Sequence, residues 1–437
     1  MLQLKSNRNT KKEKPRKARG FSEPTPRKEI IMDILEAKEL VIRAGHELLE
    51  AGLIVRTWGN ISCRINDKQF VITPSGMAYD VLTPDDIVLV NIADLSYEGD
   101  VKPSSEKGIH ASCYELRPDI NFVIHTHQKN ASVVSTLGLD INNITGKDAE
   151  IIGTDVPCAS YGLPGQPKLR QGVIGALTRS SSKAAIMKHH GAICLGESYE
   201  DAFAVANALE RVCENFIASR CAEVSGKTID TFSGVVDYIT DVFKSSDKYK
   251  PAKEFTPCDS ERKGEFFFVG EEGKESAIID TKSGAWVGGG EIPDSADMHW
   301  AIYKKRADVK FIRHTKNDFV VSMSRKGKTM RPLLDDFAQL CGPVIKCATF
   351  NPSNTLKTSK KVARALGNKN AVLVKDNGAV CVAGNQYDAE AVELVMEKAC
   401  KTAVGAELYG DVKPLSALDS NLMRIIYKLK YSKKAGK

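Results

Sequence analysis

The chain has 437 residues, of which 42% are hydrophobic and 27% are charged. This composition excludes a disordered or collagen-like chain and leaves room for two domains, each with its own core. The formal charge of +7 lies at the ends: residues 1–28 carry +8 and the last seventeen carry +6, which leaves −7 on residues 29–420, so a nucleic-acid-binding body is not expected.

The ends and the cysteines indicate where the protein works. We find no uninterrupted apolar stretch of about 18 residues and no apolar segment of the kind a secretory signal needs. Eleven cysteines occur singly, without a Cys-x-x-Cys pair, which is typical of a reducing compartment. We therefore predict a cytoplasmic protein without a membrane span, and interpret residues 1–28 as a basic disordered tail and 413–437 as a basic C-terminal tail.

The first half of the chain mixes helical and strand patterns. Apolar residues recur at helical spacing over 29–52. Further along, the patterns predict strands at 60–65, 69–73, 86–92, 121–124 and 184–187, and helices at 105–116 and 199–219. Because strands and helices do not alternate regularly, we predict a layered α/β domain over residues 29–228 rather than a parallel sheet.

The second half repeats the first. Ile124-His125-Thr126-His127 resembles Arg313-His314-Thr315-Lys316, and Lys188-His189-His190-Gly191 resembles Lys375-Asp376-Asn377-Gly378. The first histidine and the turn glycine are 66 residues apart in one copy and 64 in the other. This spacing predicts a tandem domain over 263–412, joined to the first by a helix and connector over 229–262.

Three histidines and one carboxylate form a candidate metal site. His125 and His127 point to the same face of a strand, because side chains alternate along it. His190 ends another predicted strand, and Glu106 opens a predicted helix. A His-x-His strand alone is more often a packed pair, but the further histidine and carboxylate favour Zn²⁺, or Mn²⁺, Co²⁺ or Fe²⁺.

Three small, polar turns form a candidate anion site. They are Gly59-Asn60, Ser75-Gly76 and Ser104-Ser105. Their backbone N–H groups and hydroxyls suit a phosphate if the fold brings the turns together.

Five segments together resemble the class II aldolase/adducin family, most closely over residues 30–225. They are Gly59-Asn60-Ile61-Ser62, Ile72-Thr73-Pro74-Ser75-Gly76, Pro103-Ser104-Ser105-Glu106, His125-Thr126-His127 and His189-His190-Gly191. The resemblance implies a three-layer α/β/α domain with a central mixed or antiparallel sheet, here duplicated in tandem. It also implies a metal held by Glu106, His125, His127 and His190, and a substrate phosphate held by Thr57, Asn60, Ser75, Gly76, Ser104 and Ser105.

The activity that the resemblance implies is metal-dependent cleavage of a phosphorylated ketose, such as a fuculose-1-phosphate-like substrate, through a metal-stabilised enediolate. Glu106 is expected to act as acid/base, and Tyr161 resembles a tyrosine that some family aldolases contribute from a neighbouring subunit. Two alternatives remain open at this point: a sugar-phosphate 4-epimerase or dehydratase with the same metal ligands, and an adducin-like scaffold without activity.

The second copy departs from the pattern at the ligand positions. Ser295 stands where the first copy has Glu106, Lys316 where it has His127, and Asn377 where it has His190. A charged lysine offers no lone pair to a cation. The interval from a turn glycine to the Glu106 position also shortens, from 30 residues after Gly76 to 11 after Gly284.

We therefore interpret the second copy as a degenerate domain that packs without catalysing. The family that the motifs resemble implies cyclic tetramers with sites between subunits. Because this chain holds two copies of the domain, we predict a homo-oligomer in which two chains form a pseudo-tetramer.

Overall fold

Two β-sheets with nearly the same strand order form the framework of the protein. The computed structural model describes residues 32–54 and 56–430, so the predicted tail at 1–28 lies outside the described residues. The first half contains α1 (Ile34–Glu50), β1 (Asn60–Arg64), β2 (Gln69–Ile72), β3 (Val88–Asn91), α2 (Lys107–Leu116), β4 (Phe122–Thr126), α3 (Lys129–Leu137), β5 (Ile141–Asn142), α4 (Gly146–Ile152), β6 (Asp155–Val156), β7 (Cys158–Ala159), α5 (Pro167–Arg179), β8 (Ala184–Met187), β9 (Ala192–Gly196) and α6 (Tyr199–Ser225).

The second half begins with a helix and then follows nearly the same order, without counterparts of β5 and β6 and with one additional strand and one additional helix. It contains α7 (Phe232–Lys244), β10 (Asp259–Lys263), β11 (Phe266–Gly270), β12 (Ala277–Asp280), β13 (Trp286–Gly289), α8 (Ala296–Lys305), β14 (Phe311–Thr315), α9 (Asp318–Lys326), α10 (Asp335–Leu340), β15 (Cys347–Ala348), α11 (Thr355–Leu366), β16 (Ala371–Val374), β17 (Ala379–Ala383), α12 (Gln386–Ala406) and α13 (Ala417–Lys430).

The sheet orders match strand for strand. The first sheet is β3-β2-β1-β4-β9-β8-β7 and the second is β13-β12-β11-β10-β14-β17-β16-β15, with one additional edge strand, β13. Neighbouring strands are antiparallel except for the last pair of each sheet, β7–β8 and β15–β16, which is parallel. The prediction of a duplicated mixed sheet is confirmed.

Helices cover both faces of the first sheet. Along β4, Phe122 and Ile124 face one buried cluster with α1, α3 and α6, while Val123 faces another with α2 and α5. This alternation follows from the period of two in a strand. The three-layer arrangement predicted for the domain is therefore present.

The two halves share one hydrophobic core. The cluster that covers one face of the first sheet continues through α7 to buried residues of α9 and α12, among them Val320 and Val404. A Cβ added to Gly405 of α12 would lie 2.4 Å from Val133 of α3, so these helices pack at close range. The halves therefore form one packed unit rather than two linked domains.

The tight turn before β9 is repeated before β17. His189 and Asp376 take left-handed backbone angles with φ of 63° and 60°. A Cβ on Gly191 would lie 2.1 Å from the backbone oxygen of Thr126, and one on Gly378 would lie 2.0 Å from that of Thr315. Each glycine is required because the backbone of the neighbouring strand lies against it.

Two boundaries differ from the predicted domains. β10 begins at Asp259 and already belongs to the second sheet, inside the segment predicted as connector. Much of the predicted basic C-terminal tail is the helix α13, which buries Met423 and Arg424, with the Arg424 guanidinium donating to the Gln339 backbone oxygen of α10. The tail was predicted from its net positive charge, and the amphipathic pattern of the same segment was not considered. No helix of the described residues is long and apolar enough to cross a membrane.

Candidate active site

Three buried histidine rings meet at one end of the first sheet. His125 and His127 lie at the end of β4, and His190 lies in the turn between β8 and β9. One nitrogen of each ring lies within 4.8 Å of the others, and the rings of His125 and His190 are stacked with centroids 4.9 Å apart. Antiparallel pairing of β4 with β9 brings the residues together, since Thr126 is the register partner of Ala192.

The Glu106 carboxylate completes this cluster. Its Oε2 lies 3.3 Å from His125 Nε2, and its Oε1 lies 3.1 Å from His190 Nε2. Burial alone would raise the pKa of Glu106, but the neighbouring rings of His125 and His190 hold it well below its usual value. The structure thus brings together all four residues predicted as metal ligands, in one buried group.

The orientation of the rings suits a cation. His125 Nδ1 lies 2.9 Å from the Ala192 carbonyl oxygen, which can only accept, so Nδ1 carries the proton and Nε2 presents a lone pair. His190 Nδ1 donates to the Asp335 carboxylate, which turns His190 Nε2 towards Glu106. Burial alone would lower the pKa of His190, but Asp335 and Glu106 raise it well above its usual value, so a proton is held between His190 and Glu106. A divalent ion would take the place of that proton with the same groups as its ligands.

A hydrogen-bonded chain from α2 and β1 holds Glu106. Asn60 Nδ2 donates to Glu106 Oε2 at 3.1 Å, so Asn60 Oδ1 is free to accept from His110 Nε2. His110 Nδ1 then accepts from the Ser62 hydroxyl at 2.6 Å, which in turn accepts from Tyr114 at 2.6 Å. Burial lowers the pKa of His110 to about 3, which keeps its ring neutral.

This chain gives Asn60 contacts that were not predicted. Both polar atoms of its side chain contact Glu106 and His110, so the side chain orients the carboxylate. Its predicted contact with a phosphate stays a prediction. His110 was not among the predicted site residues. A pattern in the sequence could have identified it: Glu106, His110 and Tyr114 follow one another at intervals of four residues, which places them on one face at the start of and along α2.

The predicted phosphate residues surround one cavity. The loops at 73–76 and 102–105 are joined by backbone hydrogen bonds from Ser75 N to Lys102 O at 2.9 Å and from Ser104 N to Thr73 O at 3.0 Å. All six line a cavity of about 1010 Å³, together with the four predicted metal ligands; the six are Thr57, Asn60, Ser75, Gly76, Ser104 and Ser105. Lys102, which the sequence analysis did not select, lies there too and offers a cation to a phosphate.

The second half closes the other side of the cavity. Asp335 and Asp336 of α10 line it, as do Tyr387 and four residues of α13. The four are Leu422, Met423, Ile426 and Tyr427. None of these residues was predicted. Residues that meet across the two halves are more than 140 positions apart along the chain, and such a contact leaves no local pattern in the sequence.

Tyr161 lies outside the residues that line this cavity. Its hydroxyl lies 3.3 Å from Asp419 of α13, and its ring packs edge-on against His189 with centroids 5.6 Å apart. Within the described chain Tyr161 therefore anchors α13. Its catalytic contribution to a neighbouring subunit stays a prediction.

In the second half, the place that corresponds to the cavity of the first half is occupied by Phe255. Counted from the matched serines Ser62 and Ser260, Phe255 takes the place of Thr57, and its ring lies 5.4 Å from that of His314. Its backbone N–H donates to Asn377 at 3.2 Å, and its carbonyl accepts from Lys316 at 3.2 Å. The connector thus occupies the space where the first half has its cavity.

The second half keeps the first part of this hydrogen-bonded chain, but not the contacts that would correspond to Asn60 and Glu106. Ser260 contacts His299 at 2.7 Å and Tyr303 at 2.8 Å, as Ser62 contacts His110 and Tyr114. Cys258 stands in the place of Asn60, and His299 Nε2 is left without a hydrogen-bond partner among the described residues. In this half the contacts therefore end at His299, and no residue at the position of Ser295 is oriented by them.

The long loop between β2 and β3, which lines the cavity, has no counterpart in the second half, and this corrects one alignment. β2 and β3 are joined by residues 73–87, whereas β11 and β12 are joined by 271–276 alone. Gly284 lies between β12 and β13 and is therefore no counterpart of Gly76. The apparent shortening from glycine to ligand position was a loss of this loop.

Comparisons with known proteins agree with the fold. The sequence model of the class II aldolase and adducin N-terminal domain matches residues 39–217 and 272–404. A 5-methylthioribulose-1-phosphate/5-deoxyribulose-1-phosphate aldolase of Escherichia coli O45:K1 (strain S88 / ExPEC) is 36% identical over 187 residues, which are 43% of this chain and 85% of that protein. The L-fuculose phosphate aldolase of Escherichia coli K12 is 34% identical over 173 residues, 40% of this chain and 79% of that protein.

Among solved structures, an L-fuculose 1-phosphate aldolase aligns with a TM-score of 0.41 at 26% identity, over 48% of this chain and 96% of that one. The resemblance stated from the motifs is confirmed by the family match, which covers both halves. The chain belongs to the class II aldolase and adducin N-terminal domain family.

Proposed function

We propose that the protein is a metal-dependent aldehyde-lyase that cleaves a ketose phosphate in the cavity of its first half. The observation that carries the proposal is the buried convergence of His125, His127, His190 and Glu106 beside two polar loops. Zn²⁺ is the ion we expect, since three imidazoles and a carboxylate suit it. A divalent ion bound there supplies a Lewis acid for the negative charge that bond cleavage leaves on the ketose oxygens.

The residues of the chain position the substrate and move a proton. Ser75, Gly76, Ser104 and Ser105 offer hydroxyls and backbone N–H groups to the phosphate, and Lys102 balances its charge. The Glu106 carboxylate, which is ionised at rest, accepts the C4 hydroxyl proton. The C4 carbonyl of the aldehyde forms as the C3–C4 bond breaks, and the electron pair of that bond makes a C2–C3 double bond while the carbonyl pair moves to the C2 oxygen. The protonated Glu106 carboxyl then returns the proton to C3 and the C2 carbonyl re-forms, which yields dihydroxyacetone phosphate and an aldehyde and leaves Glu106 ionised again.

The converging ligands and the curated relatives also bear on the two alternatives to an aldolase. An adducin-like scaffold has no need of four converging ligands or of the chain that fixes Glu106, and the second half shows what a site without them looks like. A 4-epimerase or dehydratase would use the same ligands, but the curated relatives named above are aldolases. We therefore favour cleavage over epimerisation.

The wall formed by the second half suggests the substrate. Leu422, Met423 and Ile426 of α13, with Met77 and Leu163, give the cavity an apolar side. The name of one relative specifies ketose 1-phosphates that end in a methylthio or deoxy group. We propose that the substrate is a ketose 1-phosphate with an apolar end.

The purified protein should cleave 5-deoxyribulose 1-phosphate and release dihydroxyacetone phosphate, measured by a coupled assay. It should prefer this substrate over ribulose 1-phosphate by about 100-fold, the limit of what an apolar pocket achieves against one added hydroxyl. Leu422→Asn should reduce that preference. Leu418→Asn is the matched control, because Leu418 lies one turn away on α13, is 78% exposed and does not line the cavity. An isomeric ketose phosphate formed without aldehyde would contradict the proposal.

Assembly is a separate part of the proposal. Because the second half borders the cavity within one chain, two chains suffice for a ring of four domains. Light scattering should then give the mass of two chains, and the mass of one chain with full activity would contradict this assembly.

A further inference from the structure

We infer that the second half completes the metal centre of the first by positioning two of its histidines. Asp335 and Asp336, the first two residues of α10, are each 1% exposed and lie behind His190 and His127. The inference rests on the proposed metal site. It assigns a task to a half that has lost three of the four ligands and whose own site is filled by Phe255.

Asp335 fixes the ring of His190. Its Oδ2 accepts a hydrogen bond from His190 Nδ1, so Nε2 of the ring is turned towards Glu106 and the predicted metal position. Backbone contacts lock the pair in place, since Asp335 N donates to the His189 oxygen at 3.1 Å and His189 Nδ1 donates to the Leu333 oxygen at 2.8 Å. A carboxylate behind a histidine ligand sets its tautomer and strengthens its bond to a metal.

Asp336 stands behind His127. Its Oδ2 lies 3.8 Å from His127 Nδ1 and forms an ion pair with Lys398 of α12. His127 Nε2 faces His125 Nε2 at 3.0 Å, so Nδ1 is on the outer side of the ring, where it makes no hydrogen bond among the described residues and Asp336 is the acceptor that faces it. Each of the three rings then has an acceptor on its outer side: the Ala192 carbonyl, Asp335 and Asp336.

The carboxylates behind the histidines occur in the second half and have no counterparts in the first. The strand β4 and the helix α3 match β14 and α9 at a constant offset of 189 residues, and so do the pairs Ile141–Val156 and Met330–Ile345. At this offset Gly146 and Lys147 stand where the second half has Asp335 and Asp336. One half therefore supplies the ligands and the other supplies the carboxylates behind them, which gives one complete centre in each chain.

Zinc affinity, measured by competition with a chelator on the full chain, tests this inference. Asp335→Ala should weaken binding by about 10- to 100-fold, the usual effect of removing an outer partner. Asp335→Asn should fall between this variant and the wild type, because its amide oxygen still accepts from His190 without carrying charge. Asp376→Asn is the matched control: Asp376 is 5% exposed in the same half and bonds Tyr249 instead of a ligand.

The outcomes separate the inference from the proposed function. Wild-type affinity in both Asp335 variants, with a wild type that binds zinc and cleaves substrate, would overturn the inference and leave the function standing. A wild type without zinc would overturn both. If Asp335→Ala does not fold, the isosteric Asp335→Asn carries the test, and an equal loss in Asp376→Asn would assign the effect to general destabilisation and overturn the positioning role.

Discussion

Replacing Glu106 with glutamine should leave a folded protein that retains most of its metal but turns over substrate about 10²- to 10⁴-fold more slowly. The amide keeps the size of the side chain and a contact with Asn60, and His125, His127 and His190 remain as ligands. It cannot deliver a proton to C3. The measurement is kcat in the coupled assay, with metal content determined on the same sample.

Ser295→Ala is the matched control for this variant, because Ser295 holds the corresponding position in the second half and lies on no cavity wall of the first. Its kcat should equal that of the wild type. Undiminished turnover in Glu106→Gln would remove Glu106 from the mechanism.

The second large effect is expected at Lys398. This side chain is 5% exposed and forms an ion pair with Asp336, which is 1% exposed. Burial alone would raise the pKa of Asp336, but Lys398 and His127 hold it well below its usual value. Lys398→Met leaves this carboxylate buried without its cation, so the free energy of unfolding should fall by about 3–5 kcal/mol. Urea denaturation measures the change.

The double variant Lys398→Met/Asp336→Leu checks the cause of that loss. It removes both charges together, so it should recover much of the stability of the single variant. A single variant as stable as the wild type would show that the ion pair does not hold α10 against α12.

Features with a local pattern could be predicted from the sequence. His125 and His127 alternate along one strand, and His190 precedes a glycine that no other residue can replace. The predicted strands at 60–65 and 184–187 correspond to β1 and β8. Each of these features depends on neighbours within a few residues, where periodicity and turn chemistry are informative.

Features that depend on contacts between the halves could not be predicted. Asp335 reads as an ordinary acidic start to a helix, and only the packing of α10 against the first half places it behind His190. The segment 413–437 reads as a basic tail until α13 is seen to bury Met423 against α10. The contacts of Asn60 with Glu106 and His110 could not be predicted either, because these residues are 46 and 50 positions away along the chain.

The amount of metal bound per chain tests the central claim most directly, that both halves build one centre. Elemental analysis of the wild type should give about one equivalent of zinc or a similar divalent ion, and His127→Ala should lose it. His314→Ala in the second half should keep it, because His314 bonds the Asn377 oxygen at 2.7 Å in a filled site. Two equivalents in the wild type, or one that survives in His127→Ala, would contradict the account.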